Sequence, residues 1–599
     1  MSLNGDLLKG WVRRMGLSAK GLTRKEQFSE LIANELKERL AAVLARLSAA
    51  ERQFLAECVH QDQVISGASF QAKYGVACPQ PSRFYSYRDE VGLLTPFIAR
   101  ESPYGGAEET SIVKDLVEPL RALLPAPAGV EAHVAGPIPK TWKNDRAYFS
   151  GGADRVVHTF EGGRIGPAEL DRVLRLIQSG KVKVADSTCR PTDATVRLVG
   201  GLLLEPDFDL ECPEADRSDF EKNYRYTASG PVRAHAWPVV VQQCGWAKAK
   251  GGMLNLTEEG KEMLRQFDGQ KFRAGVARLL DDSEFDGLHR INHIRGQSGK
   301  AKRWITAPSE RKRAIRRAMT TFPIGQWLTF EEARRLVEAS GERWNITEGE
   351  AGFLYFFEPQ YGLIYNGPGL RSQYLRAFIM ETLATLGLAD IAYVYPHRRW
   401  PDLYDSLNGD LPFCGRYDGL LYVRLNPLGA YALGLTEAYQ MRPVERPKLF
   451  QVLPNLDLVL HGGPLNPADR AGLELLAAPQ SDAVWRLEPE RILTHIETGG
   501  SLASLRTFLD ENAASGVPEN VRIFLDGLEA KLGACQSRRK AVLLEWADPA
   551  LAQLIATSSG LKRLCYYAGE NRLVVPAENL TAFTRALKRL GYVLPGESH

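Results

Sequence analysis

The chain has 599 residues, enough for three to five domains of ordinary size. Its 44% hydrophobic and 25% charged residues are the balance of a globular protein, and a net charge of +3 implies no partner until the charges are located. No run of about 18 apolar residues is present, and the first 21 residues carry charges where a secretory signal needs an apolar stretch, so the expectation is a cytoplasmic protein with no membrane partner.

The eight cysteines (58, 78, 189, 212, 244, 414, 535 and 565) include no C-x-x-C pair, which argues against a disulfide framework and against a zinc finger. Residues 1–155 read as a helical, winged-helix-like N-terminal region. Phe28, Leu31, Ile32 and Leu36 share one helical face, and a helix, polar break, helix layout follows from Ser48, with VGLLTPFIA as its strand. Pro125, Pro127, Pro137 and Pro139, with several glycines, mark residues 103–155 as a connection rather than a core element.

Residues 156–290 read as a winged-helix region with a basic wing. Leu170, Val173, Leu174 and Ile177 form an apolar stripe at i, i+3, i+4 and i+7 on a helix that Gly180 closes. Pro191 then opens a second helix with Val196, Val199 and Leu203 on one face and Thr192, Asp193, Thr195 and Arg197 on the other. As a helix-turn-helix, this second helix would enter a duplex groove. Lys181, Lys183 and Arg190 would face phosphate, and Thr192, Thr195 and Arg197 the base edges. The alternative is an ordinary antiparallel helix pair. An acidic, Pro-broken stretch around Asp207, Asp209 and Glu211 reads as a surface loop. Beyond it a helix ends near Gly245, WAKAK and MLNLT flank a Gly-Gly turn, and Thr257 can cap another helix, the order of a wing with Lys248 and Lys250 at its tip.

Residues 291–449 read as a basic segment and a second winged-helix repeat. Gly387-Leu388-Ala389 matches Gly245-Trp246-Ala247, and Val423 to Gly429 matches Leu254 to Gly260, with an insertion inside the second hairpin. Between the copies, Arg290, Arg295, Lys300, Lys302, Arg303, Arg311, Lys312, Arg313, Arg316 and Arg317 stand against one carboxylate, Glu310. A solvated helix face usually mixes signs, so the run points to double-stranded DNA bound through its phosphates.

Local catalytic motifs are lacking. GQSGKA from Gly296 fails as a phosphate loop, His289 and His293 find no third zinc ligand nearby, and there is no G-x-S-x-G and no dinucleotide fingerprint. The expectation is a non-enzyme with no cofactor, no metal and no small-molecule substrate. A nuclease with dispersed carboxylates and a scaffold that binds an acidic protein remain as alternatives.

From Phe450 to Cys535 the composition turns acidic, with 12 carboxylates against 6 cations. Two strands, a helix from Pro467, a strand and three short helices are expected. Phe450-Gln-Val-Leu-Pro-Asn-Leu-Asp-Leu, the acidic-aliphatic helices and Pro518-Glu-Asn-Val-Arg together resemble the helicase-associated domain found at the N-terminus of bacterial XPB-like DNA helicases. LRLIQSGKVKVADSTCRPTDATVR and FDGLHRINHIRGQSGKAKRWITAP also look like segments of stand-alone helicase-associated proteins. Winged helices followed by a small α/β domain are similar in arrangement to the TFIIH subunit that regulates XPB. The helicase motor and its ATP-binding motifs are absent, so the resemblance implies an adaptor that partners and regulates a superfamily 2 helicase, in repair, transcription or phage defence. Residues 536–599 read as a split βαββα plait with a free sheet edge. The expected class is mainly α with small β: tandem winged helices, a helicase-associated α/β domain at 450–535, and the plait, with the helicase docking on 450–599.

Overall fold

A computed structural model describes residues 5–61, 64–79, 92–101, 109–143, 154–211, 230–282, 285–291, 293–297, 304–348, 354–358, 362–364, 367–396, 415–440, 448–461, 465–497, 500–532 and 539–595. The class is α+β: about half the chain is helical and the strands form small antiparallel sheets. Among the described residues no helix is long and apolar enough to cross a membrane. Two compact units are present, Met1–Pro447 with Gly463–Leu475, and Lys448–Gly462 with Leu476–His599.

The first unit holds two cores. The N-terminal one is built on the helices Ala49–His60 and Gly67–Tyr74, the hairpin Ile98–Glu101 and Glu109–Ile112, and the helix Lys114–Leu123, around Trp11, Phe54, Phe70, Phe97 and Leu120. The connection expected over 103–155 is therefore shorter. Leu116 and Leu120, one turn apart, are buried in this core, and Pro119 between them obscures the helix in the sequence.

In the larger core one order of elements occurs twice. In the first copy the order is a helix Gly162–Gln178, an extended segment at 182–184, a helix Asp193–Gly200, a third helix Arg233–Gln243, a hairpin Ala247–Lys250 and Met253–Leu256, and a closing helix Glu258–Arg265. In the second it is Pro308–Ala318, the strand Trp327–Thr329, Phe330–Ala339, a third helix Gly367–Ala377 that continues as a π-helix Phe378–Ala384, the strands Ala389–Tyr393 and Leu420–Leu425, and Pro427–Ala432. The stripe Leu170, Val173, Leu174 and Ile177 is buried as its spacing predicts.

Local features recur at matching positions. Gly245 and Gly387 end their third helices at φ +78° and +82°, a region that favours glycine. Ala247 pairs with Leu256 and Ala389 with Leu425. Thr257 caps its helix by accepting from the Gly260 N–H (3.1 Å), and Asn426 does so from Gly429 (3.0 Å). A Cβ at Gly260 would overlap the Trp246 carbonyl, and one at Gly429 the Leu388 carbonyl.

The boundary expected at 290/291 does not exist, because one continuous cluster runs from Phe160 to Ala471. The two third helices, Arg233–Gln243 and Phe378–Ala384, pack on each other, and the helix Gly269–Asp281 packs on both Pro308–Ala318 and Pro427–Ala432. The strand His158–Phe160, just ahead of the first copy, pairs with Ala389–Tyr393 of the second. Inside the first copy Glu169 and Arg233, neither exposed, lock its first helix to its third (2.9 Å).

In the second unit Phe450–Val452, Asp457–Leu460, Val484–Leu487 and Ala477–Pro479 form an antiparallel sheet in that spatial order, followed by the helices Pro489–Glu497, Leu502–Asn512 and Glu519–Leu532. The expected 450–535 domain is corrected in two ways. The helix Pro467–Glu474 belongs to the first unit, where Asp469 accepts from Arg175, and Ala477–Pro479 is a strand rather than a helix end. The last segment follows the expected order: Ala541–Glu545, the helix Pro549–Thr557, Tyr566–Tyr567, Arg572–Pro576 and the helix Leu580–Arg589, on a core of Leu573, Val575, Phe583 and Leu587.

Candidate nucleic-acid interface

Three of the cations singled out in the sequence meet on one surface. Lys183 and Lys250 each lie opposite Met253, and Lys248 lies opposite Asn255. Side chains alternate between the faces of a strand, so Lys183, Lys248, Lys250, Met253 and Asn255 share one face while Ala247, Ala249, Leu254 and Leu256 turn to the core. Leu254 is fully buried and all three lysines are exposed. Neighbouring strands lie about 4.8 Å apart, so Lys183 and Lys250, which flank Met253, stand roughly 10 Å from each other on that face, with Lys248 two residues along the strand from Lys250. Lys181 leads into the sheet and is paired with Glu474 at 3.4 Å.

The threonines expected at base edges have another task. Thr192 caps the helix Asp193–Gly200 by accepting from the Thr195 N–H (3.3 Å). Thr195 is 1% exposed; its hydroxyl donates to the Lys183 carbonyl (2.7 Å) and accepts from the Lys183 N–H (2.9 Å). Both threonines thus hold the segment that presents Lys183. Arg197 is exposed on the same helix, and Arg190 is half-buried. This helix is the second of its copy, and the third, Arg233–Gln243, buries Ala236, Trp237 and Val240.

The basic run divides. Lys300, Lys302 and Arg303 lie outside the described residues. Arg295 is exposed on the short strand Ile294–Arg295. Arg311 and Lys312, expected on phosphate, are interior. Arg311 has no exposed surface, donates to Asp286 (2.7 Å) and lies 4.7 Å over the Tyr374 ring. Lys312 is 3% exposed, reaches Phe285 O at 3.2 Å and Gln243 Oε1 at 3.4 Å, and is pushed down to about 8 by burial. Arg316 pairs with Asp281 (2.9 Å) and Arg317 with Glu342 (2.5 Å), while Arg313 stays exposed with its Nη1 3.5 Å from Asp281 O. Arg290 pairs with Glu381 at 2.8 Å. Carboxylates distant in sequence neutralise much of a run that carries only Glu310 itself.

The acidic loop is likewise committed to structure. Asp207 accepts from the backbone N–H groups of Val232, Arg233 and Ala234 at 3.2, 2.8 and 3.0 Å, closing the start of the third helix, and Asp209 accepts from Gly230 (3.1 Å). Among the described residues no three ligating side chains gather as a metal site would require. Sequence reasoning missed the polar junction of His235, His289, Arg290, Glu381 and Tyr417. The i, i+4 spacing of His289 and His293 drew attention to it only as a zinc clip. No family model matches the chain, and no curated protein matches it.

Proposed function

We propose that this protein is a non-catalytic DNA-binding adaptor for an XPB-like helicase, built on two fused winged helices. The order of helix, strand, helix, helix, hairpin and helix, present twice with matched caps and register, supports the winged-helix reading. The single observation that carries DNA binding is the exposed Lys183, Lys248 and Lys250 face beside the Gly251-Gly252 turn, where a wing meets backbone phosphate. Because the third helices of the two copies pack on each other, neither is assigned to a groove, and binding rests on the wing and is blind to sequence. Arg197 and Arg313 add exposed positive charge on neighbouring elements.

Duplex binding is measured against salt for the wild type and for Lys183→Glu, Lys248→Glu and Lys250→Glu combined. The expected result is weaker binding on every sequence and a log–log salt slope reduced by about 0.9 for each phosphate no longer neutralised. An unchanged slope would remove the DNA assignment. The helicase partner is assigned to the second unit on the resemblance of residues 450–532, and the exposed Leu543 and Tyr566 on its last sheet offer apolar surface for it. An XPB-like helicase should co-purify with the full chain and be absent after truncation beyond Leu475, a cut that keeps the helix Pro467–Glu474 with its own core. Retention by the truncated chain would refute that half.

A further inference from the structure

The strand Met253–Leu256 is flanked on one side by the segment 182–184 and on the other by Ala247–Lys250. Among the described residues no further strand pairs with the outer edge of Ala247–Lys250. The direction of its backbone groups follows from the ladder. The Leu254 N–H is spent on the Val182 carbonyl (2.9 Å), so Leu254 and the opposite Ala249 exchange no hydrogen bonds, and the N–H and carbonyl of Ala249 point outward. Unpaired groups along an edge are a template for another strand.

The second copy holds a strand at the matching place. Ile391 lies opposite Val423 there as Ala249 lies opposite Leu254 here, and the outer edge takes His158–Phe160 antiparallel, with Phe160 opposite Ile391 and Thr159 opposite Ala392. Phe160 is buried, its ring centre 5.0 Å from that of Phe208. Carried over to the first copy, this register puts one residue of an added strand opposite Ala249, on the core side. Its two neighbours fall opposite Lys248 and Lys250, on the exposed side. The segments ahead of each copy are already spent, His158–Phe160 on the second copy and Ile294–Arg295 on Tyr355–Glu358. A second molecule is disfavoured as the occupant, because two of these edges paired antiparallel about Ala249 would set lysine against lysine.

We propose that the outer edge of Ala247–Lys250 accepts an extended segment of an acidic partner protein, with an apolar residue opposite Ala249 and a carboxylate on each side of it, opposite Lys248 and Lys250. Main-chain hydrogen bonds to Ala249 supply the pairing, and the two lysines select the sequence. An acidic strand seated there would compete with a duplex for those lysines, but the pairing does not draw on the DNA reading, which concerns the side-chain face.

The probe is the capped, fluorescently labelled peptide Thr-Thr-Glu-Phe-Glu-Thr-Thr, titrated into the full chain by anisotropy, with hydrogen exchange of the wing followed by mass spectrometry. It should bind, slow exchange within 247–250, and outbind Thr-Thr-Lys-Phe-Lys-Thr-Thr, and the Lys248→Glu, Lys250→Glu double variant should reverse that preference. N-methylation of the peptide's Phe, whose N–H would meet the Ala249 carbonyl, should weaken binding at least about ten-fold, while N-methylation of either Glu, whose N–H faces away, should not. Ala249→Pro, which removes an N–H that the fold leaves on the edge, should weaken binding to a similar degree. Where that variant does not fold, the methylated peptides decide with the wild-type chain. No binding up to about 5 mM, equal binding of the acidic and basic peptides, or indifference to methylation at Phe overturns the proposal. Self-association that protects 247–250 without peptide gives the edge to a second copy and overturns it as well.

Discussion

Replacing Glu169 by Gln tests whether the first copy is held together by a buried charge pair. Glu169 has essentially no exposed surface, and its carboxylate receives Arg233 Nη1 at 2.9 and 3.1 Å, Trp237 Nε1 at 3.0 Å and the Leu204 N–H at 2.9 Å. Arg233 is equally buried, donates to Pro206 O (2.9 Å), and lies 4.4 Å from the Phe160 ring centre and 5.0 Å from that of Phe208. Burial raises the Glu169 pKa more than Arg233, Trp237 and Leu204 lower it, so the pair contributes little net stability while the loss of one partner is severe. The amide keeps an acceptor for Trp237 or Leu204 but takes the nearest negative charge from the buried guanidinium, leaving it the Pro206 carbonyl and the Asp207 carboxylate at 4.0 Å, at a cost toward the lower end of about 3–5 kcal/mol. Urea unfolding of the full chain, followed by the NMR signals of Trp237 and Trp246 selected from its ten tryptophans by single Trp→Phe assignment variants, reads the transition of this core. Combining Glu169→Gln with Arg233→Met should cost less than the two single changes added together, by more than the roughly 0.5 kcal/mol within which independent sites add. A Glu169→Gln protein within about 1 kcal/mol of wild type, or strict additivity, would refute the reasoning, since 3–5 kcal/mol is the cost of an uncompensated buried charge.

Acidification should weaken the same core. Burial lowers His235 to about 3, and His289 and His293 to about 4, with Arg290 and Arg416 beside His235, Arg190 beside His289 and Arg295 beside His293, and Glu381 pulling the first two the other way. Below the unfolded value of about 6.5 the unfolded chain takes up protons that the folded chain refuses, so from pH 7 to pH 5 each histidine removes roughly 2 kcal/mol. Glu169, with its raised pKa, acts in the opposite sense, and the diagnostic is therefore the difference between wild type and the His235→Gln, His289→Gln double variant: the variant's pH dependence should be shallower by about 4 kcal/mol over that range, and parallel curves would exclude the effect. Gly260→Ala and Gly429→Ala should destabilise by similar amounts, about 1–3 kcal/mol or more, because each drives a methyl into the carbonyl at the matching position of its copy, and a tolerated change at either one would break the equivalence. Arg311→Met should lower stability by about 3 kcal/mol and leave the salt slope of DNA binding untouched, with a changed slope placing Arg311 back on phosphate.

What the sequence made legible was local. The stripe from Leu170 to Ile177 and the Gly245 and Gly387 helix ends depend on neighbours within a few residues, as does the Thr257/Gly260 closure that Asn426 and Gly429 reproduce, so each pattern could be read where it stands. What stayed hidden was pairing across distance. Arg311 finds Asp286 across 25 positions, Arg290 finds Glu381 across 91, and Asp469 is drawn to Arg175 across 294, pairings that local sequence cannot display, so the basic run reads as uncompensated and the helix Pro467–Glu474 as part of the acidic domain. The second and third helices of the first copy are separated by about 30 residues, so the sequence alone presents the adjacent pair as the reading pair and its threonines as groups that touch bases. Periodicity tells which side of an element is buried and is silent about what covers it. A cation therefore becomes a candidate for phosphate only after the fold has left it exposed, and on that criterion Lys183, Lys248 and Lys250 gain weight as the buried Arg311 and Lys312 lose it.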